Sequence, residues 1–314
     1  MSLDQFDIKL HSDDGKEFTT LSNQPLDSIR NQNFDRLILL LHGFPDINTT
    51  FNKVWPIILN NYNSKNEKIL LVAPKLRGYE TSSLSNEQDY MMPNLAKDVQ
   101  SWILELVPDQ NKPVHLIGHD WGALIAFKTA NLYPDLITSM CCLAIPYLTN
   151  LRLYELLWNV PEQVYLSSYF LTMQFSWLYK DKLTNDSNTY LQDIWKYWSP
   201  DYSPTSKELE EIKNSYKIPG VSDAITAYYR HLFRPLSLIK SRWPVDFQKV
   251  PTLIMLGEND GCMSYKLAVL EQKKLKKDYP KAQVKIIPDC GHFLQREQPQ
   301  IVSDIIIDFL ETFN

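Results

Sequence analysis

Five short apolar runs, Leu37 to Leu41, Ile69 to Ala73, Val114 to Ile117, Ile137 to Ile145 and Thr252 to Leu256, are separated by longer stretches with helical spacing. Each run is too short for a buried helix and several stop at a glycine or proline, so buried strands fit them better. Continuous apolar strands alternating with helices are what a parallel sheet covered on both faces requires. The chain is therefore expected to be an α/β protein built on a mostly parallel sheet. After Gly118, Leu124, Phe127 and Ala130 fall on one helical face that stops before Pro134, which predicts a strand, a tight turn and a helix. Near the C-terminus Ile301, Ile305 and Phe309, with Val302, Ile306 and Leu310 beside them, have the spacing of an amphipathic helix that closes the core.

The alternation breaks between Tyr147 and Phe247. Five of the eight tryptophans (Trp158, Trp177, Trp195, Trp198, Trp243) and eleven of the seventeen tyrosines concentrate there, with no strand-like series among them. The sheet pattern resumes at Thr252, which predicts a core of residues 1–146 and 248–314 with a helical cap, 147–247, inserted into it. Most of those aromatics should pack within the cap, and a few should line a pocket where it faces the sheet. A net charge of −5 gives no electrostatic reason to expect a nucleic-acid partner, and Lys273, Lys274, Lys276 and Lys277 read as a solvated helix face. Cys141, Cys142, Cys262 and Cys290 have no repeated short spacing, which argues against a disulfide framework or a structural zinc site. No apolar run reaches the roughly 18 residues of a spanning helix, and Met1 to Leu10 carries acids where a signal peptide needs an apolar stretch. The expectation is a soluble cytoplasmic protein, monomer or homodimer, using neither metal nor cofactor.

Glycine is scarce, nine in the chain, so its placement is informative. Gly118-His119-Asp120-Trp121-Gly122 has the form G-x-nucleophile-x-G at a strand-to-helix turn, where small flanking residues relieve crowding around a strained residue. Asp120 stands in the nucleophile position. A carboxylate there can attack an sp³ carbon and form an alkyl ester, whereas a serine attacks carbonyls; the plainer alternative is an aspartate opposing a helix dipole. Downstream come Gly257-Glu258-Asn259-Asp260 and then Cys290-Gly291-His292, the chain order nucleophile, acid, histidine of an α/β-hydrolase triad. His292 is the candidate general base. Asp260 is the candidate acid that orients it, favoured over Glu258 and Asp246. The run ending at Ala144-Ile145-Pro146 offers no carboxylate for that role. His42-Gly43-Phe44-Pro45-Asp46 follows the first strong apolar run, so the backbone N–H groups of Phe44 and Trp121 are the candidate oxyanion hole, and Phe44-Pro45 is a candidate cis bond. Trp121, Phe44 and Pro45 are also expected to contact substrate.

Together HGFPD, RGYE (Arg77 to Glu80), GHDWG, GEND and CGHF resemble the epoxide hydrolase branch of the α/β-hydrolase superfamily, in order and over most of the chain. The resemblance implies an aspartate nucleophile, a hydrolysable ester intermediate, a small epoxide and water as reactants, and two cap tyrosines that polarise the epoxide oxygen. One tyrosine precedes an arginine in a stretch similar to Tyr228-Tyr229-Arg230-His231, and the carry-over falls on Tyr229. The other precedes a glutamine by five positions. Tyr169 and Gln174 fit that spacing, with Tyr165 in reserve. The pair after RGY, Glu80 and Thr81, departs from the family pattern.

Haloalkane dehalogenases share the aspartate, the histidine and the tryptophan beside the nucleophile. They add a second halide donor: Phe44 removes an asparagine after the HG pair, while Trp158 and Trp177 leave a cap tryptophan open. Fluoroacetate dehalogenases place arginines just after the nucleophile, and Trp121 to Lys128 contains none. A binding protein that has kept the hydrolase shell without turnover is the reading from a different class, and the presence of Asp120, Asp260 and His292 together argues against it.

Overall fold

A computed structural model describes residues 5–147, 153–232 and 244–313, without the side chains of 153 and 276–278. Trp243 and the side chains of Lys276 and Lys277 lie outside the described residues.

Among the described residues eight strands form one sheet: β1 (Phe6–His11), β2 (Glu17–Ser22), β3 (Arg36–Leu41), β4 (Ile69–Pro74), β5 (Val114–His119), β6 (Ser139–Leu143), β7 (Thr252–Gly257) and β8 (Ala282–Ile287). Their spatial order is β1-β2-β4-β3-β5-β6-β7-β8. The β1–β2 and β2–β4 pairs are antiparallel, and all other pairs are parallel. The burial patterns explain the difference. Every residue of β3, β4, β5, β6 and β7 is buried, as strands covered on both faces must be, whereas β1 alternates exposed and buried positions at the sheet edge.

All five apolar runs became strands. The fourth is shorter than its apolar stretch because Ala144 turns to φ 66° and the Leu143 carbonyl accepts the Asp120 N–H at 3.1 Å. The helix Trp121–Leu132 is buried along Trp121 to Ala130, mostly apolar on every side as a central helix should be, with Lys128 and Thr129 as its buried polar members. The last helix, Pro299–Thr312, buries Val302, Ile306, Phe309 and Leu310 but leaves Ile301 49% exposed, so its buried stripe is rotated from the one read from spacing. Between β6 and β7 the described residues contain helices and no strand, from Leu153–Asn159 to Val221–Leu232. Trp195 and Trp198 are buried there, while Trp158 and Trp177 face outward. The basic cluster is partly paired: Lys274 meets Glu155 at 2.5 Å. The four cysteines are free and buried. Among the described residues no helix is long and apolar enough to cross a membrane.

The strand order reverses at β3, with β4 on one side and β5 on the other. Leu41 pairs with Gly118, and His119 with Leu143, so the carboxyl ends of β3, β5 and β6 lie together at this switch point.

Candidate active site

Asp120 directly follows β5 at φ 51° and ψ −117°, and the next residue starts a helix. A non-glycine residue in this region costs about 1–3 kcal/mol and persists only where the surroundings impose it. Close packing does so here. A Cβ on Gly122 would lie 2.0 Å from the Leu41 carbonyl oxygen, and one on Gly43 would lie 2.5 Å from Asp120 Oδ1. The two backbones can therefore meet around the carboxylate.

Phe44 N–H donates to Asp120 Oδ1 at 2.8 Å, and Phe44-Pro45 is cis. On the other side His292 Nε2 lies 3.7 Å from Asp120 Oδ2, with no hydrogen-bond partner of its own. His292 Nδ1 faces Asp260 Oδ2 at 2.9 Å. Asp260 Oδ1 accepts the N–H groups of Cys262 (2.6 Å) and Met263 (2.9 Å), so the acid is held by its own loop. Glu258 and Asp246 are exposed. His292 N–H donates to the Trp198 carbonyl at 3.0 Å, and its own carbonyl faces His119 Nε2 at 2.9 Å. Burial alone would lower the His292 pKa, but the Asp260 and Asp120 carboxylates overcome it and raise the value to about 10. Burial drives His119 and His42 the other way, so both stay neutral. Asp260, Cys262 and His292 also bring possible metal-ligand atoms within 4.8 Å of one another, but the carboxylate and imidazole are already engaged with each other.

A cavity of about 370 Å³ opens over Asp120. Its walls are mostly apolar, among them Trp121, Leu124, Phe170, Leu232 and Met263, with Gln163, Ser167, Tyr169 and Tyr229 as polar members. Tyr229 comes from the helix Val221–Leu232, and its buried hydroxyl has no well-formed hydrogen bond. Its neighbour Tyr228 turns away and donates to the Arg77 carbonyl at 2.6 Å. Tyr169 comes from the 3₁₀ segment Ser167–Gln174, with its ring centroid 5.8 Å from that of Tyr229. Burial raises the pKa of both phenols well above the ordinary value and the Asp120 charge adds to it, so both remain protonated donors. Tyr165, the reserve, is 70% exposed. Gln174 donates to the Phe170 carbonyl at 3.1 Å and lies 3.5 Å from that of Tyr229, bridging the two tyrosine-bearing segments.

Phe44 and Pro45 do not line this cavity. The Phe44 ring packs behind it, 5.6 Å from the ring of Tyr229, and the Pro45 carbonyl accepts the Trp195 indole N–H at 3.2 Å. Asp46 of the same motif is held by Arg296 through two 2.9 Å contacts. Glu80 accepts the Thr19 N–H (2.5 Å) and hydroxyl (2.6 Å), tying the RGY loop to β2 despite its departure from the family pattern. Gln163 and Met263 had no sequence signal, since their place in the wall depends on how the helical segment docks.

A model of the alpha/beta hydrolase fold matches residues 36–299. The chain belongs to the α/β-hydrolase family. This α/β-hydrolase is similar to human "Epoxide hydrolase 4", 29% identical over 88% of this chain and 72% of the relative. It is also similar to the Bacillus subtilis "AB hydrolase superfamily protein YfhM", 27% identical over 88% and 90%. Among solved structures, Epoxide Hydrolase A from Mycobacterium thermoresistibile superposes with a TM-score of 0.73 at 20% identity, covering 99% of each chain.

Proposed function

We propose that this α/β-hydrolase opens epoxides to vicinal diols through an ester on Asp120, with residues 147–247 acting as a cap on the 1–146 and 248–314 core. The carrying observation is the Asp120 carboxylate, with one oxygen on the Phe44 N–H, the other facing His292, and two protonated phenols at the same cavity. Oδ2 is then the attacking oxygen, because Oδ1 already occupies the donor site. As Oδ2 bonds to an oxirane carbon, Tyr169 and Tyr229 hydrogen-bond the epoxide oxygen and offset its developing charge. Ester formation removes the Asp120 charge that helped raise the His292 pKa, so the imidazolium gives up its proton, the opened alkoxide takes one up to become the first hydroxyl, and the neutral imidazole becomes available as a base. Nε2, which has no other partner, deprotonates water. Water attacks the ester carbonyl, the Phe44 and Trp121 N–H groups hold the oxyanion on Oδ1, and the diol leaves with Oδ2, which takes the second water proton, so Asp120 returns as carboxylate and His292 as imidazolium.

Asp120 is the one charged side chain among the described residues lining the cavity, which favours epoxides bearing neutral, apolar substituents near the ring. The names of the similar proteins support the same reading. For the dehalogenase alternative, Trp121 stands beside the nucleophile, but Trp158 (86% exposed) and Trp177 (77% exposed) are not at the cavity to serve as a second halide donor. Purified protein assayed against styrene-type and aliphatic epoxides and haloalkanes should give diol from the epoxides. Halide release without diol formation would establish dehalogenation instead.

A further inference from the structure

We infer that Cys262 is a positioning residue for ring opening: its thiol donates a hydrogen bond to the Tyr169 phenol oxygen and thereby holds the phenol proton on the epoxide oxygen. The inference rests on reading Tyr169 as a donor to the substrate. Cys262 is 1% exposed, and its Sγ lies 3.5 Å from Tyr169 Oη. With the cavity empty either group can donate to the other. Once the phenol proton turns to an epoxide oxygen, the phenol oxygen is left as an acceptor and the thiol is the group at hand to donate. The resulting chain, S–H to phenol oxygen and phenol O–H to epoxide oxygen, uses each donor once, and such chains strengthen their members. Burial, with the nearby Asp260 and Asp120 charges, drives the Cys262 pKa well above the ordinary value, so the sulfur keeps its proton.

The sulfur is held in place from two sides. Cys262 N–H is bonded to Asp260 Oδ1 at 2.6 Å. Gln163, 4% exposed on the helix Glu162–Leu166, donates through Nε2 to the Cys262 carbonyl at 2.9 Å and accepts the Ser264 N–H through Oε1 at 2.9 Å. One amide thus clamps the loop that carries the acid to the segment that carries Tyr169, at the residue whose side chain meets the phenol. Tyr229 has no such support for its hydroxyl. The two phenols therefore differ: Tyr169 is oriented by the acid loop, and Tyr229 is fixed by its ring packing.

The test is single-turnover kinetics on an epoxide that the protein converts, with alkylation and ester hydrolysis measured separately. Cys262→Ala should slow alkylation about three- to tenfold and leave hydrolysis within about twofold. Cys262→Ser keeps a donor of similar size and should restore alkylation. In a Tyr169→Phe background Cys262→Ala should add nothing further. A Cys262→Ala variant that alkylates at the wild-type rate while Tyr169→Phe is slow overturns the inference alone. So does a Cys262→Ser variant as slow as Cys262→Ala, which would indicate packing rather than donation. If Tyr169→Phe is silent, the tyrosine assignment itself fails and the inference with it. Should Cys262→Ala not fold, the Raman S–H stretch, assigned by its loss in Cys262→Ser, gives a second measure. With a neutral amide filling the cavity as acceptor for the phenol proton, Tyr169→Phe should shift it to higher frequency, and an unchanged band there would contradict the hydrogen bond.

Discussion

Asp120, Asp260 and His292 stand just beyond strand ends, whereas Tyr169 and Tyr229 stand on the helical segment between β6 and β7, and the two groups are held by different means. The strand-end residues are positioned by backbone: the Leu143 carbonyl on the Asp120 N–H, loop amides on Asp260, and the Trp198 carbonyl on the His292 N–H. Side chains do more of the work for the tyrosines, through Gln163, Gln174, Cys262 and a cluster of rings. Backbone contacts confine a residue type to a position and leave a short motif. Side-chain contacts can be met by many residue types and leave little trace in one sequence.

If the strand-end set carries the chemistry, its loss should be close to total. His292→Gln should still alkylate but not hydrolyse, lowering turnover by about 10⁴-fold or more and leaving a mass increase equal to the substrate. Unmodified protein after long incubation with a converted substrate would contradict that division of labour. The helical segment should be graded instead. Tyr169→Phe and Tyr229→Phe should each slow alkylation roughly ten- to a thousandfold, and the pair far more, while each changes folding stability by about 1 kcal/mol or less. An unimpaired double variant breaks the comparison.

Stability should follow the same division. Gly122→Ala, whose new methyl would meet the Leu41 backbone, should cost about 3 kcal/mol or more in denaturant melts, well beyond either tyrosine change. The pH response should also come from the strand-end set. The His292 pKa is raised on folding, so the stability it contributes is complete below its unfolded value of about 6.5 and is lost as pH rises toward about 10. The wild-type Tm should fall across that window more steeply than that of His292→Gln. Equal slopes would mean that the imidazole is not held charged between the two carboxylates.

The parallel core was legible because strands covered on both faces must be apolar throughout, and β3 to β7 are. β1, β2 and β8 carry no continuous apolar run: at and beside the sheet edges only part of each strand is buried, and six residues leave a weak alternating signal. The family resemblance that pointed to Tyr169 led to a residue at the cavity, while Tyr165 and the tryptophans Trp158 and Trp177 face outward. Gln163 and Cys262 had no motif. Their roles arise where two segments about 100 residues apart meet, a juxtaposition that no local pattern encodes.

The most direct test of the account is a single turnover in heavy-oxygen water followed by mass analysis of the peptide containing Asp120. Water attack on the ester carbonyl predicts label in the Asp120 carboxylate and a first diol carrying none. Label in that first diol, with Asp120 unlabelled, would mean that water attacks the epoxide directly and that no ester forms.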